Sequence, residues 1–500
     1  MSKPSHTILY APGMEEMALG IAALVEGATA LCTTELINSA APPFCAALCW
    51  EKFPSGDPNL KLRMSAVRDK HVILLMNHDT MYLFEQLAVL LHLQRFNVPK
   101  SRADLAARKW KQLTADDYET CSAKSVTVIT PWYRHCQMER TCRWTVRDDR
   151  KWDNSDPNGE FVDVPTAQSF AAMLSSLPIP GTRPLPPQQL LLIDIHEYED
   201  LEKTLISTGR WSNQVRPYDY THGTGTFFTS AFARYLSSVL YPSITDVASQ
   251  YVVFPDSGAH RRFISMVENS IKLPLDHILW ISKTRVGASI TQKDDLFFRN
   301  DKGEECKLQG RIPDKSTVLI ADDFTNSGST IFGGAEIVRS HAGADVTVNA
   351  FVSHFVAKYD HATVKKFVDK LYQDGCGVDS FTCTDSIPNV VQWLQAAGLE
   401  RQAAGLPQKA FVMPLAPLIA DWILQEPLGG EPRRFSREEC LTLVRFGGCA
   451  TLVRRTSAAV CAKEPSSDLK AAAAAGALAG ALVGAAAAVC VLAFSARLQR

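Results

Sequence analysis

The 500-residue chain is 46% hydrophobic and 21% charged with a formal net charge of -1, which excludes a disordered polymer and leaves room for two or three domains. Lys and Arg number 52 against 53 Asp and Glu, and no long basic run stands out, so a nucleic-acid-coating role is excluded and small charged ligands are expected. The 13 cysteines are scattered without a C-x-x-C pair, which indicates reduced thiols rather than a disulfide framework or a zinc site.

The opening stretch MSKPSHTILYAPGMEEMALG lacks a basic region followed by a long apolar run, which argues against a secretory signal. Apolar runs of strand length then recur at 71–76, 125–130, 189–194, 251–256, 277–282, 317–322 and 345–354. Helical patterns lie between them at 80–96, 167–177, 224–240 and 329–343. Continuous apolar strands alternating with helices predict an α/β fold with parallel sheets covered on both faces, and ligands beyond the carboxyl ends of the strands. The charged stretch 143–164 reads as a surface insertion, and the proline-rich stretch 178–189 as a connection. The alternation occurs once on each side of about residue 215, so the expected halves are 1–215 and 216–424. The last strand and helix, about 408–424, are expected to pack back on the first half.

Residues 425–468 read as an appendage or tether, and 469–494 as a membrane span. Ala471 to Phe494 is a run of 24 residues without a charge, preceded by Lys470 and followed by Arg497 and Arg500. As a helix it is about 36 Å long, enough for a bilayer core with some tilt. Gly476, Gly480 and Gly484 share one face and permit close helix pairing in lipid. The reading is a tail anchor with the rest of the chain in the cytosol, in the mitochondrial outer membrane or a peroxisome- or glycosome-like organelle rather than the endoplasmic reticulum.

The stretch TVLIADDFTNSGSTIF, Thr317 to Phe332, carries the most specific chemistry. A strand ends at Asp322 and Asp323, and a turn of small residues leads into a helix. Backbone N–H groups and hydroxyls at Thr325, Asn326, Ser327, Gly328, Ser329 and Thr330 make a cradle for an anion at a positive helix end. The absence of Gly-Lys-Ser/Thr excludes a Walker loop. Two carboxylates beside a phosphate cradle are consistent if they hold hydroxyls of the same ligand, as a sugar phosphate requires. A plain acidic turn capping a helix is the alternative.

This pattern resembles the ribose-5-phosphate loop of type I phosphoribosyltransferases and of ribose-phosphate diphosphokinases (PRPP synthetases). Further segments in order, WEKFPSGDPNLKL (50–62), LLIDIHEYE (191–199), VVFPDSGAHRRF (252–263), ISKTRVGA (281–288) and FTCTDSIP (381–388), are similar to the PRPP synthetases, closest in pattern to the phosphate-independent plant-type subclass. The resemblance spans roughly residues 45–420. It implies two type I phosphoribosyltransferase-like domains, to which the C-terminal membrane helix read above is added, and transfer of diphosphate from MgATP to ribose 5-phosphate, giving PRPP and AMP.

By the same resemblance Lys283 and Arg285 are the catalytic cations of a closing loop, and Asp322, Asp323 and the residues from Thr325 to Thr330 bind ribose 5-phosphate. His196 and Asp256 help hold Mg2+, and Arg134, Glu139, Arg140 and Asp57 bind ATP, with Asp57 on a segment that crosses a subunit boundary in a homo-oligomer. Hetero-oligomers with paralogues are a further expectation. Asn326 stands where the family commonly has Asp and Ser329 where it has Gly, and the usual Arg-Gln-Asp ATP segment is not readable. A weakly catalytic paralogue that regulates or localises active subunits, and a salvage phosphoribosyltransferase, are therefore the alternatives.

Overall fold

The computed structural model describes residues 6–424 apart from 27, 31, 34–47, 95, 101–113, 135–141, 151, 157, 177–187, 197–224, 241–243, 245 and 287–288. In chain order the first elements are β1 (His6–Tyr10), α1 (Glu15–Leu24), β2 (Thr29–Ala30), β3 (Cys32–Thr33), β4 (Leu48–Lys52), β5 (Pro58–Leu62), α2 (Met64–Val67), β6 (His71–Leu75), α3 (Leu83–Gln94), β7 (Phe96–Pro99), β8 (Tyr118–Cys121) and β9 (Ser125–Thr130). There follow β10 (Arg143–Val146), β11 (Trp152–Asp153), β12 (Phe161–Val162), α4 (Thr166–Ser176), β13 (Gln188–Ile193), β14 (Gly225–Thr229) and α5 (Ala231–Tyr235). The rest are β15 (Gln250–Phe254), α6 (Ser257–Ser270), β16 (Ile278–Val286), β17 (Ser289–Arg299), β18 (Glu305–Lys307), β19 (Thr317–Thr325), α7 (Ser329–Ser340), β20 (Thr347–Phe355), α8 (His361–Leu371), β21 (Ser380–Thr384), α9 (Pro388–Ala403), β22 (Ala410–Met413) and α10 (Ala416–Leu424).

Two sheets organise the chain. The first has six parallel strands in the order β14-β13-β9-β6-β1-β2. The second has eight, β18-β17-β16-β15-β19-β20-β21-β22, parallel from β16 through β22 with an antiparallel β17–β18 edge. The apolar runs form these strands because both sheet faces are covered: all five residues of β15 are buried, as are four of five in β6. Phe367 of α8 packs on Phe355 and Phe381 at ring separations of 4.7 and 4.6 Å. Burying each such ring stabilises the fold by about 1.5–3 kcal/mol.

One boundary shifts. Residues 224–240 read as a helix, but Gly225–Thr229 is a strand at the edge of the first sheet, pairing Leu191 with Phe227. Its Thr-Phe-Phe-Thr core is made of strand-forming residues, and only from Ala231 does the chain turn helical. The first sheet therefore reaches Thr229, past the expected boundary at 215. At the other end β22 stays in the second sheet, while α10 packs on α1. The insertion at 143–164 forms a small antiparallel sheet, β11-β10-β12, with Trp152 and Phe161 half-exposed and in edge contact at 5.1 Å. Among the described residues no helix is long and apolar enough to cross a membrane. The tether expected at 425–468 and the span expected at 469–494 lie outside the described residues.

The two sheets meet through their carboxyl ends. His354, at the end of β20, places Nε2 at 3.1 Å from both the Ile193 and Asp194 carbonyl oxygens beyond β13, and its Nδ1 at 2.9 Å from Ser386 Oγ. Asp194 is buried and accepts from Phe232 N–H at 3.0 Å and from Ser353 Oγ at 2.5 Å. Burial pushes the Asp194 carboxyl up and the His354 imidazole down, as expected for groups held away from water.

Candidate active site

β19 runs between β15 and β20 and delivers Asp322, Asp323 and Thr325 to the sheet's carboxyl end. The chain then turns at Gly328, whose φ of 77° lies in the left-handed region, and α7 begins at Ser329. A Cβ at Gly328 would sit 2.5 Å from the Phe367 ring and 2.8 Å from Phe332, so both backbone angle and space demand glycine. A cavity of about 240 Å³ opens at this turn, lined by Asp322, Asp323, Thr325, Asn326, Ser327, Ser329 and Thr330. His196, Asp256 and Arg262 complete it from outside the loop. Seven residues expected from the sequence to hold a sugar phosphate thus share one cavity with both expected metal-site residues.

The electrostatics centre on Asp323, which is 2% exposed. Its Oδ2 lies 2.7 Å from His196 Nδ1 and 2.7 Å from Arg262 Nη1, and Arg262 Nη2 is 3.3 Å from the same His196 nitrogen. An ionised carboxylate only accepts, so His196 Nδ1 carries the donated hydrogen. Burial alone pushes the Asp323 carboxyl up, but the Arg262 charge and the His196 hydrogen bond outweigh it and hold the group well below the usual carboxylate range. Burial likewise lowers Arg262, yet the Asp323 and Asp322 charges outweigh it and raise its affinity for the proton. Asp322 is half-buried, and its Oδ1 accepts the Asp323 N–H at 3.0 Å.

Asp256 has two positions to serve. It is the N-cap of α6, accepting from Ala259 N–H at 2.9 Å, and it also borders the cavity. His196 follows Asp194, whose φ of 39° turns the chain sharply out of β13. Among the described residues no three His, Cys, Asp or Glu side chains gather into a ready-made metal cage. The hard oxygens of Asp256 and Asp322 nevertheless suit a magnesium ion that keeps most of its waters and arrives with substrate phosphates. The His196 nitrogen suits a bound water better than the metal itself.

Of the expected ATP residues, the two that are described, Arg134 and Asp57, do not line this cavity. Arg134 lies over the Tyr359 ring at 3.9 Å and lines a second cavity of about 230 Å³ with Gly13, Asn77, Asn389 and Trp393. Trp132 packs 6.0 Å from Phe324, which lines the first cavity, and bonds to Tyr359, which lines the second. Asp57 sits exposed at the tip of the β4–β5 hairpin, accepting from Ser55 Oγ at 2.8 Å. Glu139 and Arg140 are outside the described residues. Lys283 and Arg285 lie on β16 where it pairs with β17, opposite Gln292 and Ile290, past an irregularity in register between Ile281 and Lys283.

Arg262 is the site residue that the sequence did not single out. It stood in the quoted PDSGAHRRF segment, but two adjacent arginines on a helix read equally as solvated charge. What distinguishes it is the pairing with Asp323, which only the approach of α6 to β19 reveals.

No family model matches the chain. It is 23% identical over 345 residues to ribose-phosphate pyrophosphokinase 4 of Arabidopsis thaliana, covering 69% of this chain and 77% of that protein. It is also 23% identical over 348 residues to the chloroplastic ribose-phosphate pyrophosphokinase 3 of Oryza sativa subsp. japonica, covering 69% and 64%, and so spans just under two thirds of that relative. Among solved structures, phosphoribosylpyrophosphate synthetase from Mycobacterium smegmatis aligns at 16% identity and a TM-score of 0.49, over 84% of this chain and 97% of that one. The resemblance to plant ribose-phosphate pyrophosphokinases thus extends, at 23% identity, over 69% of this chain.

Proposed function

We propose that this chain is a ribose-phosphate diphosphokinase, transferring the diphosphoryl group of MgATP to the anomeric hydroxyl of ribose 5-phosphate and releasing AMP. The observation that carries the reading is the cavity at the end of β19, where a turn of backbone and hydroxyl donors lies beside carboxylates and a histidine drawn from the other sheet. The turn suits the 5-phosphate, and Asp322 suits the ribose hydroxyls. Each sheet with its helices is then one phosphoribosyltransferase-like domain.

Attack on the β-phosphorus builds negative charge on phosphate oxygens, so cations and positioning matter more than a strong base. Lys283 and Arg285 supply those cations from the β16–β17 ribbon. Asp256 and His196 would help hold magnesium, which would supply charge neutralisation at the phosphates. Arg134 takes part in nucleotide binding only if the nucleotide reaches the second cavity. Incubation of the full chain with MgATP and ribose 5-phosphate tests the reading: AMP should form only when the sugar phosphate is present, in step with PRPP. Release of pyrophosphate from PRPP and a nucleobase would point instead to a salvage transferase.

The 469–494 segment belongs to the same proposal as a tail anchor leaving the catalytic part in the cytosol, with association between copies or with paralogues as a companion expectation. Diffuse cytosolic signal from residues 471–500 fused to a fluorescent protein would remove the anchor.

A further inference from the structure

We infer that Asp194 is a positioning residue for the cavity at the end of β19: its clamped carboxylate locks the turn that carries His196 out of the first sheet and sets the imidazole beside Asp323 of the second. The inference rests on the sugar-phosphate reading for the work His196 does there, and it adds a residue that does not itself line the cavity.

Asp194 follows β13 at a φ of 39°, a left-handed angle that a residue with a side chain keeps only when its surroundings hold it. Backbone and side chain are both held. The Asp194 N–H donates to the Thr229 carbonyl at 3.1 Å, and the Asp194 carbonyl accepts from His354 Nε2 at 3.1 Å. Its carboxylate Oδ2 accepts the Phe232 N–H at 3.0 Å and the Ser353 hydroxyl at 2.5 Å, and the Ser230 hydroxyl bonds the same carboxyl group. Glycine would take this angle more readily, so what the side chain contributes is the clamp and not the bend.

The clamp reaches the strand beside the sugar-phosphate turn. Ser353 and His354 lie on β20, which pairs with β19 so that His354 stands opposite Phe324 and Val352 opposite Asp322. Ile195, buried at 5% exposure, is all that separates the locked turn from His196. The His196 Nδ1 then meets Asp323 Oδ2 at 2.7 Å, with the Phe324 ring edge-on at 5.4 Å between centroids. A backbone torsion rotates everything after it, so a turn relaxing toward the ordinary right-handed or extended regions would swing His196 away from β19. Asp194 therefore acts on the site at one remove, through the placement of His196.

Full-length Asp194→Gly, Asp194→Asn and Ser353→Ala chains test this. They are read by calorimetric binding of ribose 5-phosphate, by kcat for AMP formation and by the His196 Nδ1–H signal in spectra of isotope-labelled histidine. Asp194→Gly permits the backbone angle but removes the clamp; it should lower kcat at least about tenfold, change ribose 5-phosphate binding less than about threefold and lose the His196 signal. Asp194→Asn keeps an oxygen for Phe232 and Ser353, so kcat should stay within about threefold and the signal should remain. In a His196→Ala background, Asp194→Gly should cost less than about twofold further. Ser353→Ala takes away one clamping donor, should act in the direction of Asp194→Gly, and supplies the test if that chain unfolds. Full kcat in Asp194→Gly, an Asn variant as impaired as the Gly one, or losses at Asp194 and His196 that multiply would overturn the inference alone. Failure of the unaltered chain to bind ribose 5-phosphate would overturn the functional reading. The His196 signal would then still decide the placement, and its persistence in Asp194→Gly would contradict it.

Discussion

Trp132 donates its indole N–H to the Tyr359 hydroxyl across 2.6 Å, although one residue follows β9 of the first sheet and the other follows β20 of the second. The indole also packs 4.5 Å from the His354 ring, so this contact and the His354–β13 carbonyl bonds form one seam. Tyr359 reaches it through three consecutive left-handed residues, Ala357, Lys358 and Tyr359, at φ of 44°, 53° and 54°. Such a run is costly for L-residues and persists because its surroundings hold it. Tyr359→Phe removes the acceptor and is expected to lower stability by about 1 kcal/mol, read as a lower denaturation midpoint. Lys358→Gly relieves the backbone and should raise stability by about 0.5 kcal/mol, opposite in sign to a glycine in a regular helix.

Gly328→Ala should be among the more damaging single-methyl changes in the protein. The added Cβ meets the Phe367 and Phe332 rings inside contact distance, and the φ of 77° disfavours any side chain. Strain and overpacking together should cost about 2–3 kcal/mol and loosen the turn that holds the 5-phosphate. Thermal unfolding and ribose 5-phosphate calorimetry on the same sample check both; a variant that binds and melts like the parent would contradict the assignment of this turn.

Asp385 gives the fold a pH dependence of defined sign. Burial, and secondarily the charge of Glu16, raise its carboxyl to about 7, although its Oδ1 accepts the Leu415 N–H at 2.8 Å. A folded-state value above the unfolded one means that the folded chain binds the extra proton. That contribution is fully present below about 4 and is lost as the pH rises through about 7. Asp385→Asn keeps the acceptor and removes the charge, so it should stabilise the protein at pH 8 by about 1–2 kcal/mol, a value reduced for partial solvent contact, and change little at pH 4. Urea midpoints at the two pH values test the difference.

The same residues show how far a sequence can be read. β6, β9, β15 and β19 were legible because strands buried on both faces are near-continuous apolar runs, and that property survives any arrangement of neighbours. Gly225–Thr229 was not, since its pattern runs without a break into α5 and only pairing with β13 decides for a strand. The Asp322–Thr330 turn was legible because its chemistry is local. The role of Arg262 was hidden because its partners, Asp323 and His196, are 61 and 66 positions away in the chain. Arg134 was named for a site, but packing on Tyr359 puts it in a different cavity from the phosphate turn.

The central claim is turnover, and Lys283→Ala addresses it most directly because that residue lies on the β16–β17 ribbon rather than in the sugar-phosphate turn. With MgATP and ribose 5-phosphate, the full chain should produce AMP and PRPP in equal amounts, and Lys283→Ala should reduce kcat by about 100-fold or more, the scale of one lost preorganised charge contact, with ribose 5-phosphate binding kept. No product from the unaltered chain above the Lys283→Ala background would contradict the account, and would leave a subunit that binds the sugar phosphate without converting it.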